Sequence, residues 1–223
     1  MVIPPLCKRE AVVLIPAYNE EHRIEKTVLE TRRYVDDIIV VDDGSLDKTA
    51  SIAKKAGADV ISYRTNRGIG HAVKLGLRKA LDLDPGIVVF MDADGQHDPR
   101  YIPNFIKAIE DGADYVYGKR DFSNYPFDRK IGNLGLTFLT NMLCPTGIMD
   151  VESGYRALTT EAVRKMDLKA DGYAIAMDFA YSAWKNKLNI DKVDVIVPVF
   201  HPKPAIKRGL EDCRHFCGRV LNP

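Results

Sequence analysis

The segment Asp92-Ala93-Asp94-Gly95-Gln96-His97 follows the apolar run Ile87 to Met91. In an extended chain, positions 92 and 94 fall on the same side, so both carboxylates can reach one cation. Two acids with an amide close by form a hard oxygen donor set. Such a set suits Mg²⁺ or Mn²⁺, ions that keep waters and complete an octahedron with substrate phosphate. The competing reading is a solvated acidic turn, although paired like charges ending an apolar strand repel one another unless a cation lies between them. Beside these oxygens His97 reads as a hydrogen-bonding residue rather than a softer metal ligand.

Two further acidic segments follow apolar runs. Asp42-Asp43-Gly44-Ser45 comes after Ile38 to Val41, with the two carboxylates pointing to opposite sides of the chain. One of them could accept ribose or base hydrogens, and the alternative is a polar turn. In Pro16-Ala17-Tyr18-Asn19-Glu20-Glu21, Pro16 is expected to end the strand ladder, and Tyr18 offers a flat face for a nucleobase beside the carboxylate of Glu20. An ordinary strand-to-helix turn with Asn19 as cap reads equally well. Asn66 to Gly76 resembles a dinucleotide loop only weakly, since it follows the third strand rather than the first. Gly68 and Gly70 are expected to let the chain pass close to the substrate or the sheet.

In the second half, Asp150 precedes Ser153-Gly154-Tyr155-Arg156, and Asp178 interrupts an apolar helical stretch. Asp178 reads as an ion-pair partner of Arg156, a solvent-facing residue or an acceptor-side acid. Arg120, Arg129, Lys130, Lys207 and Arg208 are the loop cations best placed to meet phosphate.

The elements that must position these groups alternate. Strands are expected at Ala11 to Ile15, Asp37 to Val41, Asp59 to Tyr63, Ile87 to Met91 and Tyr115 to Tyr117. Helices are expected near 20 to 34, 48 to 56, 70 to 82 and 99 to 111, with Asp98-Pro99 and Asp47 as N-terminal caps. Beyond residue 120 the reading is a loop, an apolar helix, a strand at Tyr155 to Leu158, helices near 161 to 166 and 175 to 187, and a last strand at Val193 to Val199. This is the pattern of an α/β fold, a mostly parallel sheet flanked by helices in a single domain. Its ligand crevice is expected beyond the carboxyl ends of the strands. Ile131 to Leu143 is shorter than the roughly 18 apolar residues of a membrane span. It reads as a buried core helix in preference to one lying in a bilayer interface.

Composition narrows the partners. In 223 residues, 32 Lys and Arg balance 31 Asp and Glu, so the charge of +1 gives no general attraction to nucleic acid. Cys7, Cys144, Cys213 and Cys217 show no framework spacing, and the N-terminus lacks the features of a signal peptide. Both point to a cytoplasmic location with reduced thiols. Cys213, His215 and Cys217 read as incidental tail residues rather than a zinc site.

Together, Val13 to Glu21, Asp42 to Thr49, Asn66 to Gly76, Asp92 to His97 and Ser153 to Arg156 resemble the motifs of family 2 glycosyltransferases over roughly residues 10 to 200. Within that family the resemblance is to dolichyl-phosphate mannose synthases and related polyprenyl-phosphate sugar transferases. It implies a GT-A type, Rossmann-like fold with a nucleotide-sugar half (about 10–120), an acceptor half (about 121–200) and a basic tail (201–223). It also implies an inverting transfer of a hexose from a GDP-mannose or UDP-glucose type donor to a polyprenyl or dolichyl phosphate. The cation, Mg²⁺ or Mn²⁺, would be held by Asp92, Asp94 and Gln96. Donor contacts would fall on Pro16, Tyr18, Glu20, Asp42 or Asp43, Asp92, Ala93 and Asp94. Arg120, Arg129, Asn133 and Arg208 would meet the acceptor phosphate, although the tail Lys207 to Asp212 only approximates the family's basic motif. Many relatives carry membrane helices, so here a surface helix or a membrane-anchored partner would supply peripheral contact with the cytoplasmic face of a membrane.

The acceptor decides the catalytic groups. A lipid phosphate oxygen is already ionised and needs only positioning and charge neutralisation, by Asp94 through the cation and by Arg120. A sugar hydroxyl would need a carboxylate base, with Asp178 or Asp150 as candidates. A sugar nucleotidyltransferase would show a glycine-rich basic loop after its first strand, and a nucleotide-sugar sensor would need no acid pair.

Overall fold

The computed structural model describes residues 11–123, 125–198, 216–218 and 220. A seven-stranded sheet runs in the order β3-β2-β1-β4-β6-β5-β7. Its strands are β1 Ala11–Ala17, β2 Asp37–Asp42, β3 Asp59–Ser62, β4 Ile87–Phe90, β5 Tyr115–Arg120, β6 Arg156–Thr159 and β7 Ile190–Val195. β1 is parallel to β2 and β4, β2 to β3, and β5 to β7, whereas β6 lies antiparallel between β4 and β5. Six strands therefore share one direction. Their carboxyl ends, together with the start of β6, lie along a single edge.

Helices cover both faces of the sheet, which is why its central strands are apolar throughout rather than alternating. In β1, Val12 and Leu14 join one buried cluster with Phe90, Tyr117 and Phe179, while Val13 and Ile15 join the other with Ile24, Met91 and Phe105. The helices are α1 Ile24–Thr31, α2 Thr49–Lys55, α3 Ile69–Leu83, α4 Ile102–Glu110, α5 Phe127–Leu143, α6 Thr160–Lys165 and α7 Ile175–Lys185. A 3₁₀ turn at Pro99–Tyr101 leads into α4, and the Asp98 carboxylate accepts the Arg100 amide at 2.9 Å as its cap.

Several elements depart from the sequence reading. Pro16 does not end β1, which runs on to Ala17 with Pro16 opposite Val41. The β4 side of the ladder has already closed at Leu14, whose carbonyl accepts the Met91 amide at 3.1 Å, so the N–H that proline lacks is not needed there. β7 begins at Ile190, three residues earlier than expected. It is an edge strand with exposed Asp191, Lys192 and Asp194, so its sequence does not look like buried β-structure.

The largest departure is α5. Its outward residues Phe127, Ile131, Leu134, Phe138 and Met142 are 54–77% exposed, whereas Asn133, Thr137 and Thr140 are buried. The polar residues face inward because the chain beside them supplies partners. Thr140 donates to the Leu136 carbonyl at 2.8 Å, Asn141 donates to the Ile148 carbonyl at 2.7 Å, and Thr137 accepts the Val151 amide at 3.4 Å. The expected buried core helix is thus a helix with its apolar stripe in the open.

Candidate active site

Asp92 leaves the end of β4 beside a buried histidine. His97 is 4% exposed, accepts the Asp92 amide on Nδ1 at 3.0 Å, and stacks on Tyr155 at 4.8 Å and 17°. Burial lowers its pKa. With Nδ1 as acceptor the ring holds the loop, and its Nε2 lies 3.6 Å from Asp92 Oδ2. Asp94 accepts the Gln96 amide at 2.9 Å, and Gly95 makes the turn with φ of +75°. Burial and the neighbouring charge of Asp92 push the Asp94 carboxyl up to about 6. Among the described residues no group of three or more His, Cys, Asp or Glu side chains gathers to enclose an ion. Asp92 and Asp94 lie close enough for the charge of one to act on the other, and a carboxylate pair of this kind suits a divalent cation retaining water or phosphate ligands. A groove of about 840 Å³ opens on Asp94 and Gln96 and is lined also by Arg23, Lys26, Tyr34 and Arg100, none of which the sequence reading singled out.

The first two motifs turn out to be mates. Asn19, in the left-handed region at φ +55°, accepts the Leu46 amide at 2.8 Å, and its own amide donates to Ser45 Oγ at 2.9 Å. The Glu20 amide donates to Thr49 Oγ1 at 2.8 Å, and the Glu21 amide to Asp47 at 3.2 Å. Asn19 is therefore a brace between two loops rather than a helix cap, and α1 starts only at Ile24. Tyr18 stays 43% exposed, and Glu20 is paired with Arg23 Nη1 at 2.8 Å.

Asp42 and Asp43 are both buried, with different duties. Asp43 accepts the Tyr63 hydroxyl at 2.7 Å and the amides of Arg67 and Gly68 at 2.8 and 2.9 Å. Asp42 accepts the Ser62 hydroxyl at 2.9 Å and the Ser45 amide at 3.3 Å. Of about four lone-pair positions on a carboxylate, Asp43 has three in use inside the fold and Asp42 two. The glycines that follow, Gly68 and Gly70, pack against neighbouring backbone. A Cβ on Gly68 would lie 2.4 Å from the Asp171 carbonyl oxygen, and one on Gly70 would lie 2.3 Å from that of Ala170.

That 169–171 segment is where Asp178 acts. The residue is fully buried, and its Oδ2 accepts the amides of Lys169 and Ala170, both at 2.7 Å. This corrects all three sequence readings of Asp178. It neither faces solvent nor is placed as an accessible base, and Arg156 sits instead over the Phe179 ring at 4.4 Å while donating to the Ser153 carbonyl. Asp178 braces the backbone against which the Gly68–Gly70 loop packs.

Arg120 ends β5 in a bidentate pair with Asp150, Nε to Oδ2 at 2.6 Å and Nη2 to Oδ1 at 2.7 Å. Burial pulls the guanidinium pKa down, but hydrogen bonding to Asp150 and its charge hold the net value above the ordinary one. Phe122 and Tyr125 flank it at 5.1 and 5.9 Å. With its amide nitrogen turned toward the acids, Asn133 donates to Asp150 Oδ1 and Glu152 Oε2, both at 3.1 Å. Arg120 and Asn133, both expected at the acceptor phosphate, are engaged with Asp150 within the fold.

The model of the glycosyl transferase family 2 matches residues 12–167, which span every motif described above except Asp178. The chain belongs to this family. The glycosyltransferase is 38% identical over 210 residues to the UDP-N-acetylglucosamine–dolichyl-phosphate N-acetylglucosaminyltransferase of Methanococcus voltae, with 82% of this chain and 83% of that protein covered. It is 31% identical over 203 residues to the polyprenol monophosphomannose synthase of Mycolicibacterium smegmatis, covering 84% and 77%. Its GT-A type fold is shared with glucosyl-3-phosphoglycerate synthase from Mycobacterium tuberculosis, solved in complex with Mn²⁺, UDP and glucosyl-3-phosphoglycerate. The TM-score is 0.75 at 24% identity, covering 96% of this chain and 79% of that one.

Arg129 is half-buried in the first turn of α5. Lys207 and Arg208 lie outside the described residues, as do Cys7, Cys213 and His215, while Cys217 is half-buried and in no disulfide. Among the described residues of this glycosyltransferase no helix is long and apolar enough to cross a membrane.

Proposed function

We propose that this glycosyltransferase moves a hexose from a nucleoside-diphosphate sugar to a polyprenyl or dolichyl phosphate, with inversion, in a single catalytic domain. The observation that carries the reading is the Asp92 and Asp94 pair following the carboxyl end of β4, where burial and the neighbouring charge of Asp92 push Asp94 up to about 6. Asp92, Asp94 and Gln96 would hold Mg²⁺ or Mn²⁺, and the ion would neutralise the departing diphosphate. Pro16, Tyr18, Glu20, Asp42 and Ala93 line the donor side, with Asp42 favoured over Asp43 because it has more lone pairs uncommitted. Arg120, Arg129 and Asn133 form the acceptor side, where an incoming phosphate would compete with Asp150 for Arg120.

A phosphate acceptor fits better than a sugar hydroxyl for a specific reason. Asp150 is engaged by Arg120, and Asp178 is fully buried with its Oδ2 accepting two backbone amides. An ionised phosphate oxygen needs no base, only positioning and charge. The names of the relatives from Methanococcus voltae and Mycolicibacterium smegmatis support the same acceptor class. The Mn²⁺ and UDP of the Mycobacterium tuberculosis structure support the cation and the donor type.

The bare stripe of α5 supports a place at a membrane surface. From Arg129 to Met149 the chain's only charged residues are Arg129 and Lys130, and neither is acidic. The one acid of α5, Asp128, is followed at once by Arg129 and Lys130, and an apolar stripe beyond two cations suits the headgroup boundary of an anionic bilayer. The inner side of the same helix carries Asn133 to the acceptor network.

Sugar transfer is tested by incubating radiolabelled nucleotide sugars with polyprenyl phosphate and Mn²⁺ and extracting into organic solvent. Label is expected in the organic phase and should fall at least about 100-fold with a chelator. Undiminished transfer in chelator would remove the metal role, and label found only on soluble acceptors would remove the lipid phosphate. For the surface, Leu134→Glu with Phe138→Glu should abolish co-sedimentation with anionic phospholipid vesicles while leaving the melting temperature close to that of the wild type, since both residues are 69% exposed. Vesicle binding unchanged by the pair would count against docking through α5.

A further inference from the structure

The segment Ser153–Arg156 has no ligand role so far, yet it forms one wall of the acid site. β6 runs antiparallel to β4 with Phe90 opposite Arg156 and Val89 opposite Ala157. Continuing that register two residues past Phe90 places Asp92 opposite Gly154. A Cβ added to Gly154 would lie 2.8 Å from Asp92 Oδ2 and 2.9 Å from Oδ1, closer than a real Cβ comes to any atom. Gly154 is not among the residues of positive φ, so what the position requires is space and not backbone freedom.

Its neighbours hold that backbone still. Tyr155 is fully buried, donates its hydroxyl to the Asp98 carbonyl at 3.0 Å, accepts the Gly118 amide on its own carbonyl at 2.8 Å, and stacks between His97 and Phe105. Arg156, 4% exposed, donates to the Ser153 carbonyl. His97, stacked on Tyr155, accepts the Asp92 amide. Asp92 is thus held at its amide by His97 Nδ1, while its carboxylate has His97 Nε2 3.6 Å from Oδ2 and bare glycine backbone on the β6 side.

We infer that Gly154 is a positioning residue for the cation. Its missing side chain lets the Asp92 carboxylate stand against the start of β6 in the neighbourhood of Asp94, and any larger residue turns that carboxylate away. The role rests on the cation reading under Proposed function, and two measurements separate the fates of the two ideas. The first is Mn²⁺ uptake by the full chain without nucleotide sugar, followed by the electron paramagnetic resonance of the free ion. Gly154→Ala is expected to weaken Mn²⁺ binding at least about tenfold. The second is thermal melting in chelator, comparing the loss that Gly154→Ala causes in the wild type with the loss it causes in Asp92→Ala, where the added methyl has room.

A loss clearly smaller in the Asp92→Ala background, together with weakened Mn²⁺ binding, supports the role. Folded Gly154→Ala that binds Mn²⁺ within twofold of the wild type overturns it. So does an equal loss of melting temperature in both backgrounds, a comparison that stands even if the single variant folds poorly. Wild-type protein that takes up no Mn²⁺ at all would overturn the cation reading and this role with it, while smaller losses in Asp92→Ala would still show the packing of Gly154 on Asp92.

Discussion

Asp94→Asn is expected to cut sugar transfer by roughly 10²–10³-fold or more, the loss typical of removing one group that stabilises charge in the transition state, while making the metal-free protein more stable. The two effects share one cause. In the unfolded chain the Asp94 carboxyl titrates near its ordinary 3.8, and in the fold burial and Asp92 push it up to about 6. The folded state therefore prefers the protonated form. Its preference is fully present below about pH 4 and is lost as the pH rises through 6, leaving an ionised Asp94 that costs about 3 kcal/mol at neutral pH as an upper bound. Asparagine keeps the shape and removes the charge. In chelator, the melting temperature of Asp94→Asn should exceed that of the wild type by several degrees at pH 7.5 and by little at pH 4. With Mn²⁺ added, only the wild type should gain, because an ion that binds the native state alone stabilises it by mass action. A gain independent of pH, or retained transfer, would show that Asp94 is not the poised ligand described above.

The second large effect is expected at Asp150→Ala. Asp150 has no exposed side-chain surface and Arg120 has 18%, so the alanine variant leaves a buried guanidinium without its bidentate partner. Losing one partner of such a pair costs about 3–5 kcal/mol. At about 2–4 °C per kcal/mol for a chain of this size, the melting temperature should fall by roughly 6–20 °C. Asn133 loses an acceptor in the same step. Arg120→Ala should cost a similar amount, and the double variant Arg120→Ala with Asp150→Ala should cost much less than the sum of the singles, because no charge is then stranded. Additive losses in thermal melts would mean that the pair is not coupled in solution.

Much of this arrangement was legible in the sequence wherever the cause is local. β1, β2 and β4 appear as continuous apolar runs because a parallel strand covered on both faces has no polar side. The acid pair could be read because it follows directly on an apolar run, although the strand ends at Phe90 and Asp94 lies in the turn beyond it rather than on an extended chain. The Asp98 cap lies two residues from the amide it accepts. Reading failed where a side chain's partner is distant along the chain. Nothing near Asp178 indicates that its carboxylate meets Lys169 and Ala170, and nothing near Asn19 announces Leu46. The resemblance located Arg120 and Asn133 at the acceptor side but could not show that Asp150 already occupies both. In α5 the helical spacing separates an apolar from a polar stripe, and periodicity is the same whichever stripe faces inward.

The sequence by itself determined that acids follow buried strands and that two of them, Asp92 and Asp94, lie close together in the chain after β4. Local order along the chain is enough for that. Only the tertiary structure decided which acids are open to a ligand and which are spent inside the fold. It set Gly154 against Asp92 across 62 residues of chain, committed Asp43 and Asp178 to backbone amides, and paired Asp150 with Arg120. Hydrogen bonds and ion pairs satisfy whatever donor the fold brings near, so the state of a carboxylate is a property of its neighbours in space.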